Sequence, residues 1–147
     1  MNKEESLQAI RDARDAHISQ INKIEALLNG EEVKDPTVVS HTGCAFGHWL
    51  YGKDTHVEDI LGAQFYQNIE QMHTKWHGEY KRIFDIFFVN RKTGFFAKVL
   101  GLSRLDEKEL DKAKLYYCEL QSTTKTLLAT LASCERRIQA LNESKFF

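Results

Sequence analysis

Hydrophobic side chains recur every three to four residues along three long stretches of the chain, and this spacing predicts amphipathic α-helices. The first stretch ends at Asn29-Gly30, because glycine adopts the left-handed backbone of a helix C-terminus without penalty. Residues 31–43, "EEVKDPTVVSHTG", then read as a loop. The first apolar stripe, which has Arg14 as its one polar position, consists of Leu7, Ile10, His17, Ile21, Ile24 and Leu28.

A short segment and a second long stripe follow. The run "CAFGHWLYG", residues 44–52, predicts one or two helical turns that end at Gly52. Thr55 and Glu58 have the spacing of a capping box and predict the start of a helix, which extends from Ile60 to about Asn90. Gly94 and Gly101 interrupt the pattern in the apolar linker 91–105. The second stripe consists of Phe65, Ile69, Met72, Trp76, Tyr80, Ile83, Phe84 and Phe87.

The last stripe is the most regular and predicts a closing helix over about residues 106–143. Together the three long helices and the short one predict an all-α fold, an antiparallel four-helix-type bundle whose short helical turn carries Cys44. The chain is predicted to form one domain over residues 1–147. The last stripe consists of Leu110, Ala113, Tyr117, Leu120, Thr124, Leu127, Leu131, Cys134, Ile138 and Leu141.

Composition narrows the class of protein. The 147 residues suit a single core, and 28% charged residues with 42% hydrophobic residues are ordinary for a globular chain. A net charge of −1 argues against nucleic-acid binding through a large basic surface. The apolar runs are much shorter than the about 20 residues that span a bilayer, and the charged N-terminus lacks a signal region. We therefore expect a cytoplasmic protein with no membrane segment, whose three cysteines form no disulfide framework.

Histidines lie on the apolar stripes, where they indicate a metal site. His73 and His77 are one helical turn apart, about 6 Å along the axis, and can chelate one ion. A zinc protease of the H-E-x-x-H type needs glutamate after the first histidine, and this chain has Thr74. Burying several imidazoles without partners is costly, so one zinc shared by His17, His73, His77 and the Cys44 thiolate would satisfy them together.

These residues resemble the chemoreceptor zinc-binding domain family over about residues 10–85. The resemblance rests on His17, on the segment "CAFGHW" that begins at Cys44, and on "HTKWH", residues 73–77. Twenty-six residues separate His17 from Cys44 and 28 separate Cys44 from His73, which fits the family spacing. The chain departs from the family two residues after the first histidine, where Ser19 replaces a large aromatic residue or leucine.

The resemblance implies the fold, the ligands and the partners. It implies antiparallel helices that pair as a symmetric homodimer, and Zn²⁺ bound by His17, Cys44, His73 and His77. Members of the family are sensors attached to chemoreceptors or diguanylate cyclases, so the implied output is chemotaxis or cyclic-di-GMP signalling. Four protein ligands would leave no open coordination position, so we expect no enzymatic activity. Gly47 is expected to allow a close backbone approach. The buried anchors of the turn are expected to be Phe46, Trp49 and Leu50.

Three functional hypotheses stay open on the sequence. The first is a sensor of zinc or of an oxidant that attacks the zinc thiolate. The second is a di-iron oxygen-binding bundle, although few carboxylates lie on the stripes. The third is a protein-interaction module with a purely structural zinc. The apolar linker 91–105 is either a partner surface or part of the core, and Thr124 has no evident role.

The remaining histidines and cysteines are given structural interpretations. His41, His48 and His56 lie in or near loops and are expected to be exposed to solvent. Cys134 and Cys118 lie on or beside the last stripe and are both expected to be buried thiols.

Overall fold

The computed structural model describes residues 1–89 and 105–146, and within these ranges the chain forms helices and no β-strand. This confirms the all-α class. A π-helical turn, Asp85–Val89, continues the fourth helix, and short 3₁₀ turns occupy Lys53–Thr55 and Glu143–Lys145. The predicted end of the long helix near residue 90 and nearly all of the linker 91–105 lie outside the described residues. The helices are α1 (Lys3–Leu28), α2 (Ala45–Tyr51), α3 (Val57–Leu61), α4 (Ala63–Phe84) and α5 (Glu107–Ala140).

Side-chain caps fix the starts of the first and last long helices. The Asn2 side chain accepts a hydrogen bond from the Glu5 backbone, and the Glu5 carboxylate accepts one from the Asn2 backbone, at 2.8 Å each. The Asp106 side chain likewise accepts from the Glu109 backbone at 2.8 Å. Such caps satisfy backbone N–H groups that have no partner within the helix. Helix α1 ends at the predicted place, where Gly30 has φ +81°.

The middle of the chain differs from the prediction of one helix from Ile60 onward. Gly62, with φ +81°, separates the five-residue α3 from α4. The predicted capping box at Thr55 and Glu58 is wrong, because His56 is the N-cap of α3 and makes no side-chain cap bond. The Thr55 hydroxyl instead donates to the carbonyl oxygens of Trp49 and Gly52, which closes the turn after α2.

Helix α5 packs along both α1 and α4 and runs antiparallel to each of them. The Lys3 ammonium at the start of α1 donates to the Leu141 carbonyl after the end of α5, at 2.8 Å. Near the end of α4, Arg82 forms an ion pair with Glu119, which lies in the first half of α5, at 3.5 Å. These pairs fix the relative directions of the three long helices, whereas the four-helix-type bundle and the homodimer stay predictions.

The predicted apolar stripes meet in one core. Trp76, Tyr80, Leu127 and Leu131 are almost completely buried, and each such side chain stabilises the fold by about 1.5–3 kcal/mol. Cys134 is buried as predicted. No helix within the described residues is both long and apolar enough to cross a membrane.

Cys118 corrects one prediction, because it is exposed rather than buried. The helix turns 100° per residue, which puts Cys118 about 200° away from the fully buried Leu120. A position beside the stripe in sequence is therefore on the opposite face of α5.

Candidate zinc site

Three histidines from two helices meet in the core. His17 comes from α1, and His73 and His77 come from consecutive turns of α4. Each can offer one ring nitrogen such that the three nitrogens lie within 4.8 Å of one another. All three side chains are buried. The structure thus brings together the histidines that the sequence predicted as ligands.

Cys44 approaches this cluster from the start of α2. Its Sγ lies 3.3 Å from His73 Nε2. The Gly47 backbone donates to the same sulfur at 3.2 Å, so Cys44 is also the N-cap of α2. A thiol in this position has its side-chain direction fixed by the helix it caps. The fourth predicted ligand therefore lies beside His73.

The turn that carries Cys44 is held close to the core. A Cβ added at Gly47 would overlap the carbonyl oxygen of His41, so only glycine permits this approach of the two backbone segments. Phe46, Trp49 and Leu50 are buried, as predicted for anchors of the turn. These contacts hold the Cys44 sulfur in place from both sides.

Backbone carbonyls orient two of the imidazoles. His17 Nδ1 is 2.6 Å from the Ala13 carbonyl oxygen, and His77 Nδ1 is 2.8 Å from that of Val39. Each carbonyl requires an N–H at Nδ1, which assigns the lone pair of that ring to Nε2. Donation from the second ring nitrogen to a carbonyl oxygen is typical of histidines that bind metals.

Two nitrogen atoms of the histidine cluster lack a hydrogen-bond partner among the described residues. His77 Nε2 and His73 Nδ1 are buried and have no hydrogen-bond partner within the part of the chain that the structure describes. Leaving a buried polar atom unpaired costs about 1–3 kcal/mol. A cation bound by His77 Nε2 would remove the cost of leaving that atom unpaired.

Burial keeps the imidazoles neutral. It lowers the pKa of His17, although the Ala13 carbonyl opposes this shift. Burial, followed by the neighbouring His77, His17 and His41 side chains, lowers the pKa of His73 to about 2. Burial likewise lowers the pKa of His77 to about 4. Neutral imidazoles carry the lone pairs that bind metal, so the site needs no deprotonation of histidine at neutral pH.

The thiol behaves differently. Burial raises the pKa of Cys44, and the Gly47 and Phe46 backbone amides oppose this shift. Without a cation nearby, the sulfur therefore keeps its proton at neutral pH. A metal that binds the thiolate would have to displace this proton.

Trp76 supports the cluster in a way that the sequence did not show. Its ring centroid lies 4.5 Å from that of His17 in an edge-to-face arrangement. Its indole Nε1–H donates to Thr124 of α5 at 2.9 Å. Trp76 and Thr124 both lie on the apolar stripes of their helices, which indicates that they are buried. A stripe does not show which residues of two helices contact each other.

The other histidines lie outside the ligand cluster. His48 and His56 are exposed, as predicted. His41 was expected to be exposed but is half-buried, and its ring centroid lies 6.4 Å from that of His73. The Tyr51 ring, whose centroid lies 5.6 Å from that of His41, shields it on another side.

The donor set fits zinc. Zinc binds imidazole nitrogens and thiolate sulfur in a tetrahedron, with bonds of about 2.0–2.3 Å. With these bonds, two nitrogens of the tetrahedron are about 3.3 Å apart, and a nitrogen and a sulfur are about 3.5 Å apart. The Cys44 Sγ and His73 Nε2 atoms already have a separation of 3.3 Å.

Comparison with known proteins agrees with this geometry. The family model of the chemoreceptor zinc-binding domain matches residues 17–84, a range that contains all four candidate ligands. No curated protein matches the chain, and no solved structure does.

Proposed function

From the match of residues 17–84 to the chemoreceptor zinc-binding domain family model, we propose that this chain is a zinc-dependent regulatory protein. His17, Cys44, His73 and His77 are the proposed ligands of one Zn²⁺. The observation that carries the proposal is the buried group of three histidines with nitrogens within 4.8 Å, together with the Cys44 sulfur beside His73.

The role of the site is regulatory rather than catalytic. A bound Zn²⁺ would supply a cross-link between α1, α2 and α4, with no open position for a substrate water when all four residues bind it. The chain itself supplies two fixed imidazoles through Ala13 and Val39. It also supplies a sulfur whose position depends on the short helix α2.

The proposed signal is a change in this cross-link. Low zinc would leave the four ligands uncoordinated and would release α2 and the preceding loop from α1 and α4. A peroxide-class oxidant would have the same result by transferring one oxygen atom to the Cys44 thiolate. The O–O bond breaks in that step, sulfenic acid and hydroxide form, and the oxidised sulfur binds zinc poorly.

The proposed partners follow from the family. We propose that the chain forms a homodimer and signals to a chemoreceptor or a diguanylate cyclase, and so to chemotaxis or cyclic-di-GMP turnover. Several large apolar side chains are available for such contacts, because they are exposed in the single chain. They are Ile18, Val38, Phe88, Val89 and Leu115.

The experiment that tests zinc binding is metal analysis of protein purified without chelators. We expect about one zinc per chain, as for a single four-ligand site. Cys44→Ala should lower this content, whereas the exposed Cys118→Ala should not. If wild type and both variants contain no zinc even after zinc is added, the proposal is overturned. About two irons per chain would favour a di-iron bundle instead.

A second experiment separates regulation from a purely structural zinc. Amide hydrogen exchange is compared between zinc-loaded and zinc-stripped protein. A regulatory site predicts faster exchange confined to α2, the loop before it and the adjoining turns of α1 and α4, while α5 stays protected. Global loss of protection would show that zinc is needed for folding, and the regulatory proposal would fail.

A further inference from the structure

A cleft lies between the first turn of α4 and the last turns of α5, and it shares no residue with the zinc cluster. Its volume is about 410 Å³. Two arginines and a serine supply its polar groups, and no carboxylate from residues 1–89 or 105–146 lines it. The lining residues are Phe65, Ser133, Arg136, Arg137, Ala140 and Leu141.

Arg137 has a buried guanidinium N–H for which the described part of the chain provides no acceptor. Its Nε atom is buried and has no hydrogen-bond partner among the described residues. The ion pairs observed within residues 1–89 and 105–146 do not include Arg137. The guanidinium also lies over the ring of Phe65, whose centroid is 4.9 Å from the guanidinium carbon. A shielded, unpaired guanidinium N–H is costly, and an anion would remove that cost.

The same guanidinium lies against the start of α4. A Cβ added at Gly62 would be 3.2 Å from Arg137 Nη2. Gly62 is the N-cap of α4 and provides no side-chain cap, so the first-turn N–H groups lack that acceptor. A cation beside the positive end of a helix dipole is unfavourable, whereas an anion between them interacts well with both.

The helix end that would normally attract Arg137 already has a cation. Lys3 Nζ donates to the Gln139 and Leu141 carbonyl oxygens at the end of α5, at 2.8 Å each. Capping of the α5 C-terminus is therefore provided by Lys3, and it does not explain the position of the Arg137 guanidinium.

Arg136 contributes a second guanidinium to the cleft. Its Nη2 donates to Ser133 Oγ at 3.0 Å, which orients the side chain along the wall of the cleft. Arg136 is exposed, so its remaining N–H groups are accessible to a ligand. Guanidinium groups bind phosphate through paired, charge-assisted hydrogen bonds, and two of them suit a dianion.

We propose that this cleft binds a phosphate group carried by a small organic molecule. The phosphate would accept hydrogen bonds from Arg137, Arg136 and the first-turn amides of α4. The organic part would lie against the apolar wall, which consists of Phe65, Ala140 and Leu141. Inorganic phosphate could accept the same hydrogen bonds from the arginines. The test must therefore distinguish inorganic phosphate from an organic phosphate.

The test is calorimetric titration of zinc-loaded protein with phenyl phosphate and, separately, with inorganic phosphate. We expect both to bind at one site, phenyl phosphate more tightly. Arg137→Gln should weaken binding of phenyl phosphate by about tenfold or more, the effect of losing a charged hydrogen bond. Arg82→Gln removes an equal charge from α4 outside the cleft and should leave the affinity unchanged.

Arg136→Gln provides a second variant that should not disturb folding, because Arg136 is exposed. It should also weaken binding. The proposed site would be overturned if neither probe binds. It would also be overturned if Arg82→Gln and Arg137→Gln reduce the affinity for phenyl phosphate equally. Equal affinities for inorganic phosphate and phenyl phosphate would overturn the organic part of the proposal.

Discussion

The indole Nε1–H of Trp76 donates a hydrogen bond to Thr124 Oγ1 across the interface between α4 and α5, at 2.9 Å. The Thr124 hydroxyl in turn donates to the Leu120 carbonyl at 2.6 Å. All three groups are buried, and the indole ring also contacts His17 of the proposed zinc site. A chain of hydrogen bonds from α5 thus holds the aromatic ring that supports one zinc ligand.

Thr124→Val should destabilise the protein by about 1–3 kcal/mol. Valine has nearly the same shape as threonine, so the main effect is the loss of the acceptor for the buried Trp76 N–H. Urea unfolding at fixed metal content measures this difference. Thr126→Val is the control, because Thr126 is exposed and its hydroxyl contacts only the Ser122 carbonyl, at 3.4 Å. A loss in Thr124→Val no larger than in the control would contradict the role of the pair.

The helices could be predicted from sequence because each long helix has an apolar stripe, with Arg14 as the one polar position of the first, that indicates its period and buried face. An apolar stripe does not show where a single residue interrupts the helix. Gly62 divides α3 from α4 through its positive φ, and the apolar spacing continues across it. Cys118 shows the same limit at the level of one position, since 200° of rotation separates it from Leu120.

The proximity of the three histidines and Cys44 could be predicted because three different sequence signals coincide. His17 lies on a stripe, His73 and His77 share a helical face, and Cys44 precedes a glycine turn. The groups that orient these ligands could not be predicted. Ala13 and Val39 act through backbone carbonyls, which have no side-chain signature.

Gly47→Ala should weaken zinc binding and destabilise the protein. The added Cβ would overlap the His41 carbonyl, so the turn must move and carry the Cys44 sulfur with it. We expect a zinc affinity lower by about tenfold or more, the effect of changing groups that orient the ligands of a metal. Competition with a chromophoric chelator measures the affinity.

Gly78→Ala is the matched control for this substitution. Gly78 is an exposed position in α4 with no atom within 4 Å of an added Cβ. Alanine there should stabilise the helix by about 0.5–1 kcal/mol and leave zinc affinity unchanged. Equal effects of the two substitutions on zinc binding would contradict the importance of the close approach at Gly47.

Tyr80 should make stability depend on alkaline pH. Its hydroxyl donates to the Thr37 carbonyl at 2.9 Å, and burial raises the pKa of Tyr80 to about 12. Because the folded-state pKa exceeds the ordinary value of 10.0, this contribution is complete below pH 10 and is lost as pH rises from 10 to 12. The stability advantage of wild type over Tyr80→Phe should therefore shrink by about 1 kcal/mol between pH 9 and pH 11. A constant difference in unfolding free energy, at fixed metal content, would contradict this assignment.

Zinc binding should release about one proton per ion at pH 7, and the proton should come from Cys44. Burial lowers the pKa of His73 to about 2 and that of His77 to about 4, so these imidazoles are already neutral and release nothing. Burial raises the pKa of Cys44, so its thiol must lose a proton to become a ligand. Calorimetric titration with zinc in buffers of different ionisation enthalpy measures the number of protons. Cys44→Ala should bind zinc more weakly and release none, while Cys118→Ala should match wild type. Release of two or three protons by wild type would show that the histidines are protonated before zinc binds, which would contradict a buried, neutral ligand cluster.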